Sequence, residues 1–291
     1  MQINSPQLRR TFSRRVVPFA LLALALVIGS ASSSIGKLGT AQEPAAPQAG
    51  FAPTCSNPHF PTDTPDAMDG TSCGIAGNGE AETSQNDAKN NFCAPDPARA
   101  ITIADMVDLQ MKVQQDQTIP FGNPRQHPLT SQAGPATDRA PLVALGEGSH
   151  VVLSGHVRIA RQEGPESVNC GTHVPNEPDF HDIHISIVQN PDDAECSGVV
   201  VEMTPHHRPD AWNHAKVQAV ATAGLLVRVT GHLMFDSSHT PCMNGRSVRG
   251  DPARISLWEI HPIYKFEVCP AGDCGANGGW VPLEDWKQTG S

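Results

Sequence analysis

No apolar run in this 291-residue chain is long enough to cross a bilayer as a helix. The longest runs from Val16 to Ile28, about 13 residues against the roughly 20 a span requires, so the mature form is expected to carry no membrane span. Paired C-x-x-C units are also missing, which removes the common structural zinc modules. There is no G-x-S-x-G elbow, no Walker loop and no H-E-x-x-H helix, so α/β-hydrolase, NTPase and zincin chemistry find no support. Basic residues are scarce outside the first forty positions, and no Lys/Arg cluster falls on the later apolar segments.

What the N-terminus does contain is an export pattern. Arg9, Arg10, Arg14 and Arg15 precede the apolar run without any acidic residue, and small-residue cleavage sites follow at Ala31 and Ala41. Residues 1–41 read as a signal peptide, with cleavage after Ala41 preferred because a Pro-rich polar stretch follows. Arg9-Arg10-Thr11-Phe12 suits either a twin-arginine motif or an ordinary charged leader. The expected location is periplasmic or extracellular. Removing that segment takes away five basic residues and moves the formal charge from -10 to -15. A chain so acidic repels phosphate backbones, and no nucleic-acid partner is expected on that ground.

All eight cysteines (Cys55, Cys73, Cys93, Cys170, Cys196, Cys242, Cys269, Cys274) follow the leader, an even count that in an exported chain reads as up to four disulfides. Only Cys269 with Cys274 is favoured by proximity. Residues 42–98 are rich in Pro, Gly, Asn and Asp and poor in aliphatics, so they cannot offset their chain entropy with a core of their own. Their three cysteines make the segment a tied arm, and the odd number requires one to pair outside it or stay free. A helix is expected over 103–115, capped by Thr102 with Asp105 and carrying the stripe Ile103, Met106, Leu109 and Val113. Residues 117–140 read as linker, which gives an arm-plus-linker region of 42–140.

Strand periodicity begins after residue 141. Five segments follow it: 150–161 (Val151, Leu153, Val157 and Ile159 inward), 181–188, 199–203, 225–235 and 256–268 (Trp258, Ile260, Tyr264, Phe266 and Val268 on one face), with a helix expected over 210–221. Three strands, a helix and two strands is the order of an OB-like barrel, a mainly β fold with its helix between strands three and four, here covering 141–268 and followed by a disulfide-tied tail over 269–291. A small β-sandwich is the alternative. The segments 227–236 (VRVTGHLMFD) and 258–264 (WEIHPIY) resemble the last two strands of OB-like domains in exported bacterial proteins. The resemblance implies the fold and no catalytic residues. The thermonuclease family shares the barrel, but its Asp, Arg and Glu pattern has no counterpart here.

In such a barrel strands two, three and five are neighbours. The alternation puts Asp182 and His184, Glu202, and Glu259 and His261 outward on those strands, one polar ligand face. His184, Glu202 and His261 form a ligand set suited to a divalent metal such as zinc, with Glu259 as general base, and His206 or His207 could complete the set from the next loop. The plain reading of the same residues is a solvated strand face with ordinary cross-strand pairs. Ser186 near Asp182 and His184 reads as chance polarity. The four tryptophans are expected to pack, with only Trp280 and Trp286 free of the core pattern. The function expected from the sequence is non-enzymatic binding of an extracytoplasmic small or extended ligand on the barrel face, with metal-dependent hydrolysis and a structural or interaction role in the envelope as the alternatives.

The charge analysis yields a direct test. A low-salt mobility-shift titration with duplex and single-stranded DNA is expected to show no salt-sensitive complex in the micromolar range, because too few cations are available to release phosphate counterions. A steeply salt-dependent shift would reveal a basic surface that the strand pattern does not contain.

Overall fold

The apolar alternation after residue 150 closes on itself. In chain order the computed structural model contains α1 (Thr83–Lys89), β1 (Arg99–Ile101), α2 (Ile103–Gln115), α3 (Ala140–Leu145), β2 (His150–Gln162), β3 (Ile183–Val188), β4 (Val199–Met203), α4 (His214–Thr222), β5 (Leu226–Phe235), β6 (Trp258–Cys269) and β7 (Val281–Pro282). It describes residues 55–61, 73–74, 77–78, 83–116, 119, 139–170, 180–248, 252–275 and 278–288, all within the unit Ala46–Ser291. The expected leader, residues 1–41, and most of the 117–140 linker lie outside the described residues.

The ring runs β2–β3–β4–β6–β5 and closes by β5 pairing with β2. Every pair in it is antiparallel except β4 with β6. With α4 between the third and fourth ring strands, this is the OB barrel order, and closure sets the sandwich aside. Two strands lie outside the ring: β1 runs parallel to β2, and β7 pairs with β6. Among the described residues no helix is long and apolar enough to cross a membrane.

One core fills the barrel, with Leu153, Val157, Ile185, Val201, Val229, Phe235, Trp258 and Phe266 among its members. The stripe of α2 closes one side of it: Ile103, Met106, Leu109 and Val113 are all buried. Its capping box forms as expected, since Thr102 Oγ1 accepts from Asp105 N (3.1 Å) and Asp105 Oδ2 accepts from Thr102 N (2.9 Å). Helix α4 starts at His214, later than expected, because Trp212 N donates back to Pro209 O (2.7 Å) in a turn and Asn213 takes the cap by accepting from Lys216 N (3.0 Å). Val217 and Val220 are its buried face.

Two bulges change faces that strict alternation assigns otherwise. In β2 the register shifts between Val157 and Ile159, so Ala160 takes the core position and Ile159 is only half-buried. The β5–β6 ladder shifts on both sides of Gly231. A Cβ on Gly231 would fall 2.4 Å from the Pro262 carbonyl oxygen, so only glycine permits this approach. Ile263 therefore enters the core, whereas Tyr264 turns to the opposite face and packs with Phe92 and Ala94. Trp286 is also buried in the core cluster, and Trp280 lies under the Arg228 guanidinium at 4.6 Å. Helices α1 and α3 are additions to regions that carry no clear apolar period.

Four cysteine pairs stand at disulfide distance: Cys55–Cys93, Cys73–Cys170, Cys196–Cys242 and Cys269–Cys274. The odd cysteine of the arm is Cys73, which reaches the turn after β2 across a separation of 97 residues. Such pairing belongs to an oxidising environment. Cys73→Ser with Cys170→Ser is expected to cost about 2 to 4 kcal/mol in urea unfolding, because a long loop is released in the unfolded chain. An unchanged midpoint would mean that noncovalent contacts alone fasten the arm.

Candidate metal centre

Ladder register places the polar side chains. Strand β3 pairs His184 directly with Glu202 on β4, and Val201 of β4 is registered with Ile260 of β6. The residues between the core positions, Glu202, Glu259 and His261, therefore face away from the barrel interior together with His184 and Asp182. Glu202 Oε2 lies 3.0 Å from His184 Nε2 and 2.9 Å from His261 Nδ1. His261 Nε2 is 3.8 Å from Asp182 Oδ2, and its Nδ1 is 3.5 Å from Glu259 Oε1. All five side chains expected on one face meet there.

The expected exposure of that face is not found. Asp182, Glu202, Glu259 and His261 are 0% exposed and His184 is 1% exposed. The arm lies across them. Lys89, from the end of α1, places Nζ 2.7 Å from Glu166 Oε2 and 3.9 Å from Glu202 Oε2. Thr204 Oγ1 donates to Asn90 Oδ1 (3.1 Å), and Tyr264 Oη donates to Asn91 O (2.5 Å). Gln85 Nε2 donates to Asp236 Oδ1 (3.1 Å). On the far side Arg254 Nη1 lies 2.9 Å from Glu259 Oε2, and His239 Nδ1 lies 2.5 Å from Asp236 Oδ2. Glu163 and Glu166, from the turn after β2, approach His184 at 3.2 and 3.3 Å.

Charge on this face follows from burial set against neighbours. Burial alone would raise Glu202, but the positive charges of His184, His261 and Lys89 override it and hold the carboxyl well below its usual range. Burial likewise opposes the imidazolium forms, yet the charge of Glu202 keeps His184 well above the usual range and pushes His261 up to about 10. Glu259 is pushed up to about 7 by burial and then by Glu202 and Asp236, and burial also raises Asp182. Without a cation the site is thus an ion network of two imidazoliums, Lys89 and Arg254 against the carboxyls of Glu202, Glu166, Asp236, Asp182 and Glu259.

The network is compensated in charge but poorly joined in direction. Both ring nitrogens of His184 and of His261, both carboxylate oxygens of Asp182 and of Glu202, and Glu259 Oε1 are buried without a hydrogen-bond partner. Short distances with misaligned hydrogens are what atoms converging on a common ion show. Ligand atoms about 2.0 to 2.1 Å from a tetrahedral zinc stand about 3.3 Å apart. Three trios have ligand atoms all within 4.8 Å of one another on this face: Asp182, Glu202 and His261; Glu166, Asp182 and His184; and Glu202, Asp236 and Glu259. Asp182 and Glu202 each belong to two of them.

His206 and His207 join none of these trios. His206 is fully buried on the turn leaving β4, and His207 stacks on Phe60 at 3.7 Å between ring centroids. Strand periodicity could not have found Lys89, Glu163, Glu166, Asp236, His239 or Arg254, because they come from the arm and from loops. Their one sequence signal is charge within segments otherwise made of turn residues.

Lys89 tests the network. Lys89→Ala leaves the fully buried Glu202 and the half-buried Glu166 with one cation fewer and is expected to cost about 3 to 5 kcal/mol in urea unfolding at neutral pH. Adding Glu166→Gln should restore part of that loss, since it removes one stranded charge, and no restoration would show that Lys89 acts through packing alone. The chain matches no protein-family model, no curated protein and no solved structure.

Proposed function

We propose that this is an exported metal-dependent hydrolase, with a divalent cation such as zinc held by Asp182, Glu202 and His261, His184 standing against the opposite side of Glu202. The observation that carries this reading is the set of fully buried, unpartnered ligand atoms around Glu202. A mixed imidazole and carboxylate set suits zinc or a similar first-row ion, which supplies a Lewis acid and an activated water. Glu259 is the base on position, because its Oε1 stands 3.5 Å from His261 Nδ1 beside the ligand set, and burial raises its carboxyl in the metal-free face. Arg254, 2.9 Å from its other oxygen, fixes its direction. Export is supported by the leader pattern together with the four cysteine pairs.

Charge balance favours the exchange. One divalent ion displacing the His261 proton adds a single positive charge to the buried face, which fuller ionisation of Glu259, pushed up to about 7, can offset without disturbing the ion pairs with Lys89 and Arg254. A second reading, ligand binding without chemistry, rests on a separate feature. A cavity of about 270 Å³ is lined by Gln162, Phe180, Ile183, Arg208 and Trp212, beside the start of β3. Gln162 Nε2 donates to Asp182 O (3.1 Å), so the cavity adjoins the backbone that carries the centre.

Elemental analysis of untagged protein is expected to find about one equivalent of divalent ion that is lost in Asp182→Asn and Glu202→Gln, which keep side-chain shape. Glu259→Gln should keep the ion while metal-dependent hydrolysis of p-nitrophenyl acetate falls about a hundredfold or more. The sign of the pH dependence also follows. His261 is held protonated above its ordinary range, up to about 10, and must lose that proton to bind metal, so affinity should keep rising between pH 7 and 9, with about one proton released from it per ion near neutrality. An ordinary histidine site would have levelled off above about pH 6.5. A wild-type protein that holds and takes up no more metal than the Asp182→Asn and Glu202→Gln variants sinks the proposal and leaves ligand binding as the reading.

A further inference from the structure

We propose a second divalent-cation site, separate from the covered centre, formed by His59, Asp96 and His150 where the arm meets strand β2. One ligand atom from each of the three lies within 4.8 Å of the other two. The two carboxylate oxygens of Asp96 divide between the imidazoles, Oδ1 standing 2.9 Å from His150 Nδ1 and Oδ2 standing 3.9 Å from His59 Nε2. Ala94 O, 2.9 Å from His59 Nε2, adds a backbone oxygen at the same place.

An ordinary His–Asp pair accounts for the first of these contacts and a hydrogen bond between His59 Nε2 and Ala94 O for the last, but neither accounts for the convergence of all three side chains. The three residues come from distant parts of the chain and are held together by devices of their own. His59 is brought to the segment before Asp96 by the Cys55–Cys93 pair and by His59 N donating to Phe92 O (2.8 Å). Tyr264 orients both rings: it stacks on His59 (5.1 Å, 20°) and meets His150 edge-on (5.2 Å, 62°). His150 is 8% exposed, and its Nε2 is buried with no hydrogen-bond partner. Asp96 keeps 64% of its side-chain surface in solvent, which leaves a path for an ion and its waters.

Two imidazoles with one carboxylate select zinc or copper(II) over magnesium or calcium, which take oxygen ligands. An ion here ties the arm to the first residue of β2. The same arm covers the buried face through Lys89, Asn90 and Asn91, so the site is a clamp on that cover.

Calorimetric titration of zinc into the untagged mature chain tests this, with His59→Ala and Asp96→Asn beside the wild type. The wild type is expected to take up about one equivalent more than either variant. Its thermal midpoint should rise with excess zinc by more than theirs, since binding to the folded state alone adds stability by mass action. The readout is a difference between wild type and variants, so it holds whether or not the buried centre carries metal, and failure of that centre leaves it unchanged. Equal stoichiometry and equal midpoint shifts in all three proteins overturn the proposal. The Asn variant keeps the shape of Asp96, so a disturbed arm in the Ala variant leaves the comparison standing. Magnesium in place of zinc should give no such difference, and an equal response to magnesium would mean charge screening and overturn the site.

Discussion

Glu202 sits at the middle of β4 with no solvent to stabilise its charge, and much of the outer face is arranged around that fact. An isolated carboxylate removed from water costs several kcal/mol unless partners restore what water gave. Here His184 comes from the strand on one side, His261 from the strand on the other, and Lys89 from above. Each partner then needs compensation of its own. Glu166 answers Lys89, Glu163 and Glu166 answer His184, and Asp182 and Glu259 stand against His261. Charge demand therefore spreads from one strand position to the arm, the turn after β2 and the loop before β6. Low polarity strengthens every interaction in the set and makes each missing partner costly.

This accounts for the character of the arm. A segment that covered an apolar face would be built from aliphatic side chains. One that covers carboxylates and imidazoles must bring donors and acceptors, and Gln85, Lys89, Asn90 and Asn91 do so. The arm thus gains little from hydrophobic burial, apart from Phe92 against Tyr264 and Phe60. Its fastening comes instead from Cys55–Cys93 and Cys73–Cys170, which limit the freedom of the unfolded segment, and from polar contacts that exist only when the barrel beneath is formed. The chain's single tyrosine has a place in both halves of this design. The bulge at Gly231 turns it out of the core, where its hydroxyl reaches the arm backbone.

The barrel was legible in the sequence because period-two alternation survives in all five strands and because the ring order makes the second, third and fifth strands neighbours. His184, Glu202 and His261 follow from register alone. Exposure did not follow. Alternation says which side of a sheet a residue faces, and nothing about what covers that side, while the covering arm has no period from which to read its position. The bulges at Val157 and Gly231 were hidden for a related reason: each moves one residue without disturbing the apolar content of its segment, so Ala160 replaces Ile159 and Ile263 replaces Tyr264. Partners such as Arg254 and Glu166 lie on irregular segments, and only the folded chain shows which charges they meet.

The compensated network also separates folding from occupancy. Many metal sites collect negative charge that only the ion neutralises, so an empty site repels itself and folding waits for metal. On this face two imidazoliums take the place of that charge, and Lys89 and Arg254 hold the remaining carboxylates. The barrel can close and the arm can dock before an ion arrives. What the face lacks is direction, since the ring nitrogens and carboxylate oxygens lie close together without making aligned hydrogen bonds to one another. On the proposed reading an ion would gain its hold from that misalignment, because coordination rewards convergence on a point where hydrogen bonds require alignment along a line.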